Sequence, residues 1–403
     1  MFAGIDLGTS GCRVIVIDQN AAVTAEAHIT YARDAEQTPA LWWNAVQQAL
    51  EQLPTVILGD LQGITVDGTS GTILLTDAAG NPTTPTLMYN DARATEQASR
   101  IAAIAPKDSG AHGATSSLAK LLWLLEHFPH GDHTHALHQA DWIAGKLAGQ
   151  FGFSDENNCL KLGYDPIARQ WPEWVRQLVP TQLLPQLLPQ VHAPGTPIPG
   201  SNLVAGTTDS IAAFLATGAS ETGDAVTSLG STIALKIISE KPVFSPEHGI
   251  YSHRLGDLWL AGGASNTGGA VLLQYFSREQ LAALTPYLDA NKPTGLDYYP
   301  LIKPGERFPQ ANPQLLPRMT PRPTNEVEFL QAMLEGMSRI EYQGWQRLKE
   351  LGAPWPKSLR TVGGGSHNPA WMQMRQKLMN VPMLPPRHGE AAYGAALLAV
   401  RAF

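Results

Sequence analysis

Apolar residues along the chain fall into short β-branched runs and longer stretches of helical period, and the two alternate. Phe2–Asp6, Val14–Asp18 and Val23–Ile29 are extended runs, the first two separated by Gly8-Thr9-Ser10-Gly11, which predicts an antiparallel meander. Leu41–Leu53 carries apolar residues at helical spacing, as do Ala92–Ile104, Leu118–Phe128 and Asp141–Leu147. Ile64–Asp67 and Ile73–Thr76 read as brief buried strands, the latter closed by the turn Asp77–Pro82. Farther on come a strand at Leu203–Ala205, a helix opening at Asp209-Ser210, and strands at Ala225–Ser228 and Ile233–Ile238. Glu326–Gly352 predicts a long helix with Phe329, Leu330, Met333, Met337 and Ile340 on one face. A strand at Leu359–Val362, a glycine turn and two helices close the chain.

Six prolines between Pro180 and Pro199 interrupt every periodic pattern. That stretch, running on to Gly200, reads as an interdomain linker, so two domains are expected, 1–198 and 199–403. One segment repeats across the two. Ile5-Asp6-Leu7-Gly8-Thr9-Ser10 ahead of Val14–Asp18 is echoed by Thr227-Ser228-Leu229-Gly230-Ser231-Thr232 ahead of Ile233–Ile238. Each is a strand, a Gly-Ser/Thr turn and a second strand, as a duplicated two-lobed fold would place them.

Composition narrows the function. The 403 residues are 43% hydrophobic and only 16% charged, with 28 Lys+Arg against 35 Asp+Glu for a net charge of −7. That balance excludes a disordered chain and argues against a nucleic-acid binder, whose footprint would be basic. Two cysteines, Cys12 and Cys159, are too few for a disulfide framework and fit a reducing compartment. No run approaches the length of a membrane span, and the amino terminus reads directly as a strand, so a cytoplasmic location is expected. The 37 Gly and 31 Pro imply many tight turns.

Those turns hold the candidate chemistry. In Asp6–Arg13, Gly8, Thr9 and Ser10 offer converging N–H groups and hydroxyls, while Asp6 at the strand end can hold a hydrated Mg²⁺. Gly230, Ser231 and Thr232 offer the same donors without a carboxylate. Each alone reads equally as a glycine hairpin; together they suit a polyphosphate. Gly363-Gly364-Gly365-Ser366-His367-Asn368 follows a strand and precedes a helix, and its bare backbone suits a flat purine or a plain turn. Asp209 reads as an N-cap or as a general base on a bound hydroxyl. Asp67-Gly68-Thr69-Ser70-Gly71-Thr72 is a polar cluster suited to a polyol, or simply a polar turn. His127, His130, His133, His135 and His138 lack the spacing of a metal site.

In this order, these residues resemble the FGGY family of carbohydrate kinases, a branch of the actin/Hsp70/hexokinase ATPases, over essentially the whole chain. Asp6–Arg13 looks like the family's first phosphate motif, Val226–Thr232 its second, and Gly363–Asn368 its adenosine loop, with Trp371, Glu390, Gly394 and Ala395 in family order. Thr115–Trp123 is similar to the first signature except at its opening position, and Leu87–Arg93 to the segment before the sugar pocket. Within the family, Asp67–Thr72 looks like the cyanobacterial and plant D-ribulose kinase group rather than xylulose kinases, as do Thr115–Lys120, Leu160–Tyr164, Ala205–Phe214, Thr227–Leu235, Gly295–Pro300 and Gly305–Pro309. The Pro180–Gly200 stretch is shorter than the family's usual segment there.

The resemblance implies an α/β, two-lobed, actin-like ATPase (ribonuclease H-like) fold with duplicated mixed sheets and a cleft between them. It further implies ATP-dependent phosphorylation of D-ribulose to D-ribulose 5-phosphate, with ATP and Mg²⁺ as cofactors and Asp209 as base. Asp6, Asp67, Ser70 and Asp209 would lie around the sugar. Gly8, Thr9, Ser10, Arg13, Gly230, Ser231, Thr232, Gly363, Gly364, Gly365 and Asn368 would hold ATP, and Asp6 would hold Mg²⁺ through water. The expected partners are the sugar and ATP, with no nucleic acid or membrane, and the apolar surplus leaves room for a homodimer. Another ketose or polyol as acceptor, D-xylulose or a tetrulose among them, stays open. So does a sugar-sensing ATPase switch, although no residues are left over for an appended effector domain.

Overall fold

In the computed structural model, which describes residues 1–180 and 187–403, the amino-terminal runs pair as the expected antiparallel meander of β1 (Phe2–Leu7), β2 (Gly11–Ile17) and β3 (Val23–Thr30). On the other side of β1, β4 (Gly63–Gly68) adds in parallel, and β5 (Leu203–Thr208) adds in parallel to β4. The sheet order is β3-β2-β1-β4-β5. β4 is buried at every position, the pattern of a parallel strand covered on both faces.

Helix α1 (Pro39–Glu51) starts where Thr38 caps the Leu41 N–H and Pro39 presets the first turn. α2 (Ser117–His127) is capped by Ser116, and α3 (Gln139–Ala148) ends in left-handed Gly149. α4 (Asp209–Ala216) follows β5 directly. Trp42, Val46, Ala140 and Ile143 fill the core against one face of the sheet. The other face packs Phe2, Ile15, Ile17 and Val204 against residues near the carboxyl terminus.

A second sheet contains β6 (Asp224–Leu229), β7 (Ile233–Ser239), β8 (Leu258–Ala264), β9 (Ser358–Val362) and β10 (Met383–Leu384), in the order β8-β7-β6-β9-β10. β6 and β7 are antiparallel, β7 and β8 antiparallel, while β9 pairs parallel to β6 and β10 parallel to β9. These five strands repeat the order and directions of the five in the first sheet. The repeated Gly-Ser/Thr motif thus marks a duplicated architecture. α5 (Glu326–Glu350) has Glu326 and Glu328 in its first turn and Arg347 and Lys349 in its last, matching the helix dipole at both ends. Its apolar face joins the core with α6 (Pro369–Met379).

One charged network lies wholly inside that core. Arg375 of α6 donates to both Glu341 carboxylate oxygens, at 2.5 and 2.7 Å, and to Thr361 Oγ1 at 2.8 Å. Thr227 Oγ1 donates to Glu341 at 2.5 Å. Thr227 and Thr361 face each other in register on β6 and β9, so the network ties two helices to the strands that lead into both glycine turns.

The chain folds as two compact units: Met1–Gly218 with His253–Gly256 and His388–Phe403, and Ala219–Ser252 with Asp257–Arg387. The first therefore runs some way past the expected 198/199 junction. The reason is local: Gln190–His192 pairs in parallel with Phe153–Asp155, and β5 completes the first sheet, so the chain around Pro199 lies inside a unit. Residues 181–186 of the proline-dense stretch lie outside the described residues. The final helix, α7 (Ala391–Arg401), also belongs to the first unit. A side chain at Gly4 of β1 would place its Cβ 1.9 Å from Ala392 O, and one at Gly394 would reach 1.8 Å from Ala212 O. Two glycines thus let α7 lie directly on β1 and α4. Cys12 and Cys159 are free and buried. Among the described residues no helix is long and apolar enough to cross a membrane.

Candidate active site

In the first unit, chemistry gathers where parallel strands end. Asp6 on β1 stands in register with Asp67 on β4, and Asp67 with Thr207 on β5; Asp209 opens α4 one residue beyond β5. Carboxyl ends of adjacent parallel strands are where α/β sheets place ligands. Asp67 is fully enclosed next to Asp6, and among the described residues no hydrogen-bond donor reaches its carboxyl oxygens. Burial, then the charges of Asp6 and Asp209, push Asp67 well above the usual carboxylate range, and its contact with Asp6 adds to the rise. Asp6 is pushed up to about 6, chiefly by burial, with Asp209 and Glu390 adding to the rise and the Asp67 contact and Arg13 opposing it. Burial beside Asp6 therefore favours the protonated form of Asp67. The Asp209 Oδ1 accepts the Ser210 N–H at 2.6 Å.

The segment after β4 is held from several sides. Gln139 Oε1 accepts from Thr69 N at 3.0 Å and from Thr69 Oγ1 at 2.7 Å. Lys120 Nζ donates to Gly71 O at 2.6 Å and Met88 O at 2.8 Å, and burial pushes its ammonium down to about 7. Lys161 Nζ donates to Ser70 O at 3.3 Å and is attracted by Asp209. The turn after β1 leaves Thr9 and Ser10 exposed, anchored by Gly8 N to Gly11 O at 3.0 Å and Tyr31 N to Ser10 O at 2.9 Å. Arg13, opposite Asp6 on β2, forms an ion pair with Glu390.

In the second unit a cavity of about 520 Å³ is lined by Gly230, Ser231, Gly364, Gly365 and Asn368, with Trp371 among its walls. That volume suits a small molecule. Thr232 and Gly363 lie next in sequence and are not among its lining residues. Gly363 turns the chain at φ +86°, with its Cβ position 2.8 Å from Leu229 O, so this turn and the β6–β7 turn press together. Asn368 caps α6 through Trp371 N at 3.0 Å and donates to Thr285 Oγ1 at 3.3 Å. The structure thus gathers Asp6, Asp67, Ser70 and Asp209 in one unit, and the glycine turns of the second phosphate motif and adenosine loop around a cavity in the other.

Sequence reasoning assigned no role to Lys161 or Arg278, the latter also lining the cavity. Lys161 lies in the quoted Leu160–Tyr164 segment, but nothing local shows that it meets Ser70, 91 residues away. No three His, Cys, Asp or Glu side chains among the described residues gather to cage a metal. A single partly exposed carboxylate, Asp6, fits Mg²⁺ held largely by water and phosphate.

Duplicated sheets with ligand groups at their strand ends define an actin-like ATPase fold built for small-molecule chemistry. Residues 1–212 match the model of the N-terminal domain of the FGGY family of carbohydrate kinases, and 225–403 match the C-terminal domain. The chain belongs to this family and is a sugar kinase. It is 26% identical to the xylulose kinase of Escherichia coli (strain K12) over 442 residues, covering 99% of this chain and 89% of that protein. It is 27% identical to the xylulose kinase of Bacillus subtilis (strain 168), covering 98% and 87%. Among solved structures, the xylulose kinase from Bifidobacterium adolescentis superposes with a TM-score of 0.81 at 20% identity over 100% of this chain and 92% of that one. Plasmodium falciparum glycerol kinase with ADP superposes with a TM-score of 0.83 at 16% identity, over 100% and 90%. These structures share the fold.

Proposed function

We propose that the protein transfers the γ-phosphoryl group of ATP to the terminal hydroxyl of D-ribulose, forming D-ribulose 5-phosphate and ADP. The observation that supports this most is Asp209 beside the Asp6–Asp67 pair. It gives a carboxyl group at a helix start and two adjacent buried carboxyl groups among polar groups suited to a polyol. Asp209 accepts the hydroxyl proton as the sugar oxygen attacks phosphorus. Ser70, Asp6 and Asp67 orient the sugar. Gly8, Thr9, Ser10 and Arg13 are candidate donors to the phosphates, as are Gly230, Ser231 and Thr232. Gly363–Gly365 and Asn368 hold the adenosine. Phosphoryl transfer depends mainly on such positioning and charge stabilisation. Mg²⁺, held through water by Asp6, supplies neutralisation of the polyphosphate charge when bound.

D-Xylulose is the second reading, favoured by the names of the similar proteins. The two ketopentoses differ only in configuration at C3. Coupled ADP release across a panel of ketoses and polyols, with a no-sugar control, decides between them. Turnover with D-ribulose far above the rest is the expected result. Preference for D-xylulose would replace the substrate, and equal release without sugar would overturn the kinase assignment for an ATPase switch.

A further inference from the structure

Two lysines approach the segment after β4, and they differ in how their charge is used. Lys120 is completely enclosed, and its ammonium donates short bonds to Gly71 O and Met88 O. It is a clamp on the backbone. Lys161 is only partly buried and makes one long bond, 3.3 Å, to the neighbouring carbonyl of Ser70. An ammonium has three donors. Burial pushes this one below the usual ammonium range, and the attraction of Asp209 opposes part of that fall. Lys161 thus stands where Ser70, which begins the polar turn, meets the carboxylate at the start of α4.

The charge balance gives that position a purpose. Asp209 adds to the rise at both Asp6 and Asp67, so acidic side chains crowd one another here. A developing alkoxide beside the Asp6 and Asp209 carboxyl groups is disfavoured unless a cation faces it. Arg13 is already paired with Glu390, and Lys120 is enclosed. We propose that Lys161 is a substrate-binding residue. In this assignment its ammonium donates a charged hydrogen bond to an oxygen of the acceptor sugar beside Asp209, and holds the hydroxyl that Asp209 deprotonates. This rests on the sugar-kinase reading of the site and adds a specificity-determining cation to it.

The test compares wild type, Lys161→Met and Lys161→Arg on whichever sugar the wild type turns over fastest in the panel, with ATP and sugar varied separately. Loss of a charged hydrogen bond predicts a rise in sugar KM of roughly 10- to 100-fold in Lys161→Met. The KM for ATP should stay within about twofold, because nothing at the second unit's cavity has changed. Lys161→Arg, which keeps the charge, should recover part of the loss. A purely structural lysine would instead lower stability and move both KM values together. Should Lys161→Met fail to fold, Lys161→Gln is measured in the same way. An unchanged sugar KM in an active, folded variant overturns the assignment and leaves the sugar-kinase reading standing. Absence of turnover with every sugar in the wild type overturns both.

Discussion

Asp6 is the residue where burial and function conflict most directly, and the conflict has a measurable sign. Its carboxyl is raised from 3.8 to about 6, mainly by burial. At about 1.4 kcal/mol per pH unit, keeping it ionised at neutral pH costs roughly 3 kcal/mol of folding stability. In the unfolded chain the group titrates near its ordinary value. Between pH 4 and 6 the native state therefore binds more protons than the unfolded state, and stability falls as pH rises through that window. Below pH 4 both states are protonated and the penalty is absent. Asp6→Asn removes the ionisation, so the variant should gain about 3 kcal/mol at pH 7.5 and nothing at pH 3.5. For a unit of over two hundred residues this corresponds to a rise in Tm of roughly 6–12 °C. Calorimetric melting of wild type and variant from pH 3.5 to 7.5, without nucleotide or divalent cation, reads this directly. The difference between the two should open as pH rises, while the variant loses kinase activity. Parallel pH profiles, or an Asp6→Asn protein less stable at pH 7.5, would refute the reasoning from buried charge.

Three further outcomes follow from the same geometry. Asp209→Asn should lower kcat by roughly 10²- to 10⁴-fold while ATP binding, measured by calorimetry, is retained; equal loss of ATP affinity would contradict its role as base. Gly364 lines the nucleotide-sized cavity with no atom within 4 Å of its Cβ position, so Gly364→Val should fold normally. Its KM for ATP should nevertheless rise on the order of tenfold, because the new side chain takes up ligand space. Arg375→Met strands the buried Glu341 carboxylate and should cost roughly 3–5 kcal/mol in urea unfolding, much of it restored by adding Glu341→Leu.

Much of this protein is legible in its sequence because local pattern and local chemistry coincide. The β-branched runs at Phe2–Asp6 and Val14–Asp18 and their echo at Ala225–Ile238 determine two hairpins, since a Gly-Ser/Thr turn between extended segments leaves little alternative. The caps at Thr38, Ser116 and Asn325 set where helices begin. The phosphate turns and the triple glycine could be named for the same reason: their chemistry lies within a few consecutive residues.

What only tertiary structure decided is long-range register. The proline-dense stretch looks like a boundary, yet β5 pairs with β4 beyond it, and that pairing carries the first unit to Gly218. α7 returns to β1 across almost the whole chain, through a contact that only the bare Cα of Gly4 permits. Asp67 reads as a polar turn residue in sequence, and its protonated form is favoured because parallel pairing sets it beside Asp6 in a dry sheet. Lys161 likewise gains its place beside Ser70 and Asp209 only by folding. Sequence determines which groups can donate, accept or turn. Burial and register determine which of them hold a proton, and burial is a property of the assembled sheet.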